Sequence, residues 1–146
     1  SGERTIGAVS LSLIKVADGR LGDTEEVQTQ EGRPAVYSSR VRTLVDAVYD
    51  WSRFNSLPRA YDWIRGDLAA SRVTAAELTR VTLRYGDKGT IRRIGLLLER
   101  QGSAAGLLRK LEGALEPSTG LIPWIPGKPK RGTISRRWGV VVNDEA

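Results

Sequence analysis

Thr90-Ile91-Arg92-Arg93-Ile94-Gly95-Leu96-Leu97-Leu98-Glu99-Arg100-Gln101 is the stretch that decides the fold. Its apolar residues fall at 91, 94, 96, 97 and 98, which covers more than one face of a helix. A helix apolar on several sides has to be enclosed, so 90–101 reads as a central buried helix that Gly102 ends. Arg92 and Arg93 then pose a problem, because a buried guanidinium needs a carboxylate or carbonyl to offset its desolvation. Asp46 and Asp87 are the available carboxylates, and an Arg93–Asp46 pair fastening two helices is the structural expectation.

Helical signals surround this stretch. Upstream, Thr74-Ala75-Ala76-Glu77 has the spacing of a capping box, followed by Leu78, Val81 and Tyr85, with Gly86 as the stop. A further helix is expected from Ser56, with Pro58 in its first turn and Leu57, Tyr61, Ile64 and Leu68 on one side. Val41, Leu44, Val45 and Val48 stand at i, i+3, i+4 and i+7 behind Ser38 or Ser39, the clearest amphipathic pattern in the chain. Downstream, Leu107, Leu108, Leu111 and Leu115 give a helix over 104–115 that Glu116-Pro117 closes. About five helices in succession are expected.

Strands flank this block. Over 6–16, Val9, Leu11 and Leu13 alternate with Ala8, Ser10 and Ser12, the period of a half-buried strand. The segments 26–30 and 34–37 are extended candidates around the Glu31-Gly32 turn. At the other end Trp138-Gly139-Val140-Val141-Val142 is a continuous apolar run, which reads as an interior strand. The expectation is a single α+β (mixed α/β) domain over 1–146, with the N-terminal strands and the C-terminal strand in one sheet covered by the helices.

Composition narrows the chemistry. The 146 residues include no cysteine and no histidine, which removes disulfides, thiolate metal sites and the commonest general base. Asp23, Glu25 and Glu26 form an acidic cluster beside a turn, yet no Glu-x-Lys follows as in a magnesium nuclease. No glycine pattern of a nucleotide cradle is present. No cofactor or metal is expected, and the chain reads as a binding protein rather than an enzyme. No apolar stretch approaches the roughly 20 residues that would cross a bilayer, so a cytoplasmic setting without membrane contact is expected. Methionine is missing even at position 1, and Ser1-Gly2 has the look of a remnant of tag cleavage, which suggests an excised piece.

The formal charge of +6, carried mainly by arginine, favours an acidic or polyanionic partner. A GC-rich genome would also enrich arginine, so residue type alone does not carry that inference. Position says more. Over 117–143 there is no acidic residue, while Lys128, Lys130, Arg131, Arg136 and Arg137 are basic. This segment is the first candidate for a contact surface, with Arg92, Arg93 and Arg100 as further candidates for partner or nucleic-acid contact. Its Pro126-Gly127-Lys128-Pro129-Lys130-Arg131 stretch also fits an ordinary solvated loop, and Trp124 beside it leans towards contact. Trp138 heads an apolar strand and reads as core, as do Trp51 and Trp63. The helices ending at Gly86 and Gly102 are spaced like a helix-turn-helix, but the second is too apolar to enter a major groove.

Three segments in this order resemble the C-terminal domain of the AbiEi antitoxin family: Arg42-Thr43-Leu44-Val45-Asp46, Ile91-Arg92-Arg93-Ile94-Gly95-Leu96-Leu97-Leu98-Glu99, and Arg137-Trp138-Gly139-Val140-Val141-Val142-Asn143. With their spacing they cover about two-thirds of the chain. The family pattern generally has a glutamate just before the first segment, where this chain has Val41. The resemblance implies an antitoxin of a type IV toxin–antitoxin, or abortive infection, system. Its partner would be a cognate nucleotidyltransferase-like toxin, countered in a direct complex or through the toxin's target. In the family this domain follows a winged helix-turn-helix that binds operator DNA, which is not in this chain. A sequence-tolerant nucleic-acid-binding regulator module is the alternative the basic charge supports.

Overall fold

The computed structural model describes residues 2–6, 9–13, 24–28, 34–116 and 120–144, with side chains from 39 onwards. Four strands come first: β1 (Gly2–Ile6), β2 (Val9–Leu13), β3 (Thr24–Gln28) and β4 (Pro34–Ser38). Six helices follow: α1 (Arg40–Tyr49), α2 (Trp51–Phe54), α3 (Arg59–Ala69), α4 (Ala75–Tyr85), α5 (Lys88–Arg100) and α6 (Ala105–Gly113). The chain ends with β5 (Ile122–Pro123), β6 (Thr133–Ser135) and β7 (Val140–Val142). The class is α+β, as the order of sequence patterns implied. No helix among the described residues is long and apolar enough to cross a membrane.

The strands do not form the single sheet expected. β1 pairs with β2 and β3 with β4, each as an antiparallel hairpin, while β7 lies between β5 and β6 in a separate sheet. The stretch 6–16 is therefore not one strand: β1 ends at Ile6 and β2 runs back from Val9. Whether its alternate residues are half-buried lies outside the described side chains. The acidic cluster likewise falls on Asp23, outside the described residues, and on Glu25 and Glu26 of β3, whose side chains are not described.

β7 finds its cover locally. It runs parallel to β5, through Ile122 opposite Val140, and antiparallel to β6, through Ser135 opposite Val140. β5 lies within the Pro/Gly-rich stretch 121–132, whose sequence reads as loop, and β6 follows directly after it. All three β7 valines are buried, so the two-sided enclosure an apolar run demands is met by a short three-stranded sheet with α5 against it.

The helix signals translate more directly. Ser39 caps α1, its hydroxyl accepting from the Arg42 N–H at 3.1 Å. Thr74 and Glu77 close the reciprocal capping box of α4. Asp87 caps α5 by accepting from the Thr90 N–H at 2.8 Å, which starts that helix two residues before 90. Gly102, at φ +75°, takes the left-handed position that follows its C-cap. Pro58 is the N-cap residue of α3 rather than part of its first turn. Residues 90–98 are buried without interruption. α5 touches α1, α4, α6 and β7, which makes it the interior helix and excludes it from any groove-reading role.

Asp67 shows how the periphery is fastened. It is buried on α3, where it accepts from Arg72 Nε at 2.7 Å and from Arg40 Nη1 of α1 at 3.3 Å. Burial pushes its carboxyl up, but the hydrogen bonds from Arg72 and Arg40 outweigh this and hold it below the usual aspartate range. A carboxyl depressed in the native state adds stability that is complete above the unfolded value near 3.9 and is lost as pH falls through the lower native value. Asp67→Asn should lower the melting temperature at pH 7, and its deficit should close as pH falls from about 4 towards 2. Thermal scans of both proteins across that range check this; a deficit that stays constant would mean the charge contributes nothing.

Candidate interaction cleft

α5 contacts both α1 and β7, so the end of the chain is packed on the central helix. Gly95 and Trp138 approach closely: a Cβ added at Gly95 would lie 2.5 Å from Cε3 of the Trp138 ring. No real Cβ approaches a ring so closely, so the indole occupies the space a side chain at 95 would need. One turn earlier, Arg92 lies along Gly139, its Cζ 3.3 Å from where a Cβ there would stand. Gly139 has φ +66°, so glycine serves both the turn and the close approach. Trp138 is fully buried, as its place before the apolar run suggested.

Arg92 and Arg93 of α5 both donate to backbone carbonyls. Arg92 Nη1 donates to the Gly120 carbonyl at 3.2 Å, and Arg93 donates through Nε and Nη2 to the Pro123 carbonyl at 3.2 and 2.9 Å. The expected Arg93–Asp46 pair does not form. Asp46 accepts instead from Arg42 Nε at 3.0 Å, one turn back on its own helix, and the Arg42 guanidinium lies 3.8 Å over the Tyr85 ring. Arg93 reaches β5, with its guanidinium 5.6 Å from the Trp51 ring. Burial draws the Arg93 pKa down, while the Tyr61 hydroxyl and Asp87 act in the opposite direction.

Arg137 closes the arrangement. In the turn between β6 and β7 it donates to Glu99 of α5 at 2.6 Å and to Glu112 of α6 at 3.0 Å. The hydrogen bond to Glu99, ahead of the desolvation it opposes, raises its pKa above the ordinary arginine range. A residue expected on a contact surface thus also ties the last turn to two helices.

These contacts frame an open cleft of about 480 Å³. Arg92, Arg136 and Arg137 line it together with Glu112 and Glu116, and its apolar walls are Leu115, Leu121, Ile134 and Trp138. Leu121 is 42% exposed and Ile134 46%. Lys130 stands at the rim, its Nζ 3.5 Å from the Leu121 carbonyl. Arg136 is exposed, whereas the Arg137 charge is met by its two glutamates. The cleft therefore presents exposed aliphatic surface beside cationic groups.

The other candidates lie elsewhere. Lys128 and Arg131 are exposed on the loop between β5 and β6. That loop is anchored by Asn143, whose side-chain oxygen accepts from the Ile125 N–H at 2.8 Å and whose amide donates to the carbonyls of Ile125 and Pro129 at 2.9 and 3.2 Å. Arg100 is exposed, with its guanidinium 6.0 Å from the Trp124 ring. Trp124 itself is not a contact residue: it is fully buried, stacked 3.7 Å from Tyr61, whose hydroxyl donates to the Trp124 carbonyl at 2.6 Å. Burial pushes that hydroxyl well above the ordinary tyrosine range. Trp63, read as packing, is 48% exposed on α3.

Sequence reasoning missed Leu121, Ile134, Leu115, Glu112 and Glu116 as parts of this site. The available signal was two aliphatic residues within a Pro/Gly-rich basic segment, a composition that ordinarily holds none needing cover. Among the described residues no three His, Cys, Asp or Glu side chains gather as a metal group would require. Comparisons with models of known families, with curated proteins and with solved structures return no match to this chain.

Gly95→Ala should cost about 3 kcal/mol by driving the new methyl into the indole. Gly66→Ala, on an open stretch of α3 with nothing within 4 Å, should instead add roughly 0.5–1 kcal/mol through helix propensity. Urea unfolding of the pair reads both signs. For Arg137→Gln, the loss of two half-exposed ion pairs should cost about 1 kcal/mol at low salt and less at about 0.5 M salt. A cost unchanged by salt would show that packing, not charge, holds the turn.

Proposed function

We propose that this chain is the toxin-countering domain of an AbiEi-type antitoxin, acting in the cytoplasm by binding and performing no chemistry of its own. The observation that carries the reading is the convergence of Arg92 from the second resembling segment, Arg137 from the third and its neighbour Arg136 on one cleft walled by exposed Leu121 and Ile134. Exposed apolar surface bordered by charged groups of both signs suits a protein partner. The aliphatic groups supply desolvation energy, and the charges guide orientation and speed encounter.

The partner is a nucleotidyltransferase-like toxin. On the direct route, an acidic, partly apolar face of the toxin sits on the cleft, meeting Arg136 and Lys130 there and Lys128 and Arg131 on the β5–β6 loop. Arg92, Arg93 and Arg137 support the cleft from within. Action through the toxin's target is the indirect route, and the same basic surface would assist operator binding by the full-length protein.

The unbroken positive charge of 117–143 also favours a second reading, a nucleic-acid-binding module held by phosphate contacts. The two readings respond differently to salt. If Lys128, Lys130, Arg131 and Arg136 each met a phosphate, affinity for duplex DNA would fall about a hundredfold between roughly 50 and 200 mM salt.

Reversing Lys128, Lys130, Arg131 and Arg136 to glutamate, with Arg137 retained, should abolish growth rescue when the variant is co-expressed with the toxin. Circular dichroism should show an intact fold. Full rescue by a folded variant would reject the cleft rim as the working surface. Rescue lost together with a steep salt dependence of duplex binding would favour the second reading.

A further inference from the structure

A second surface lies between α4 and α6 and shares no lining residue with the cleft. It is a groove of about 540 Å³ with Ala76, Leu83 and Leu107 along its floor and Arg80, Arg84 and Lys110 on its walls. Leu83 is 38% exposed at an outward position of a helix whose core face is already supplied by Leu78, Val81 and Tyr85. It leaves aliphatic surface open at the groove.

The electrostatics of the groove follow from where its helices place their acids. α4 has a single carboxylate, Glu77, which is held in the capping box by the Thr74 N–H at 3.0 Å. α6 also has a single carboxylate, Glu112, which is bonded to Arg137 beside the other cleft. No acidic residue lines the groove. Among the described residues, neither Arg84 on one wall nor Lys110 on the other has an ion-pair partner.

We propose that the α4/α6 groove is a docking site for an acidic amphipathic helix of a partner protein. Two packed helices present a trough into which a third helix fits by ridges and grooves. Such a ligand would place aliphatic residues at i, i+3 and i+4 over Leu83 and Leu107, with flanking carboxylates reaching Arg84 and Lys110. A second copy of this chain is disfavoured by its own positive charge. Duplex DNA would gain from the cations but would leave the leucine floor uncovered, because phosphate contacts are polar.

The test uses methyl-resolved NMR of the full chain. It is titrated with a synthetic 18-residue helix carrying leucines at i, i+3, i+4 and i+7 with glutamates beside them. The expected result is saturable shifts at the Leu83, Leu107 and Ala76 methyls. Arg84→Glu and Lys110→Glu should each weaken binding about tenfold, and Leu83→Glu, at an exposed position, should remove it from a folded protein. The same peptide with lysine in place of glutamate should leave these methyls unmoved. Absence of saturation up to about 1 mM peptide, shifts confined to other methyls, or equal perturbation by a 20-base-pair duplex would each overturn the proposal.

Discussion

Trp138 lying on Gly95 is the closest packing of the C-terminal segment on the central helix that the helix glycine permits. The indole brings the turn before β7 down onto α5, and only a missing side chain at 95 lets it come so close. Once there, it fixes what surrounds it: Gly139 rests on Arg92, Arg137 reaches Glu99, and the β7 valines lie buried beside the helix. Interiors this dense do not yield gradually, since a single added methyl has no space to enter without moving backbone. The glycine in the middle of a helix, a liability for propensity, is thus required by tertiary packing.

The buried arginines follow from the same placement. Arg92 and Arg93 open the central helix at a level where its surroundings are protein, and desolvation has to be offset by acceptors in fixed positions. Backbone carbonyls of Gly120 and Pro123 provide them. The same two contacts tie α5 to the segment that carries β5.

The helices were readable because their signals are local. Ser39, the Thr74–Glu77 box and Gly102 act within a few residues of the boundaries they set, and the apolar pattern at 91, 94, 96, 97 and 98 implies enclosure wherever the helix lies. Strand partnership is not local. Val140, Val141 and Val142 announce that they need cover, but nothing in them says that the cover is Ile122 and Ile134 rather than the alternating residues near the N-terminus. The same limit hid the partners of Arg93 and the burial of Trp124. A carbonyl acceptor belongs to every residue, so sequence points to carboxylates first and Asp46 looked the better match. The candidate cleft was legible in part as charge, through Arg136 and Arg137, and illegible as shape, because Leu121 and Ile134 become walls only when β5 and β6 flank β7.

The basic segment that reads as one surface separates in three dimensions into two populations. Arg137 is committed to Glu99 and Glu112, and with Arg92 and Arg93 it belongs to the frame. Lys128, Lys130 and Arg131 stand exposed on a loop held in shape by Asn143, and Arg136 is exposed in the turn after β6. A buried or bridged arginine changes stability when it is removed, whereas an exposed one changes encounter and salt dependence. Loss of function on replacing Arg137 would therefore say little about a partner, while the same loss at Arg136, its neighbour in sequence, would say a great deal. The exposed residues are the ones a partner would meet, and the buried ones set their geometry.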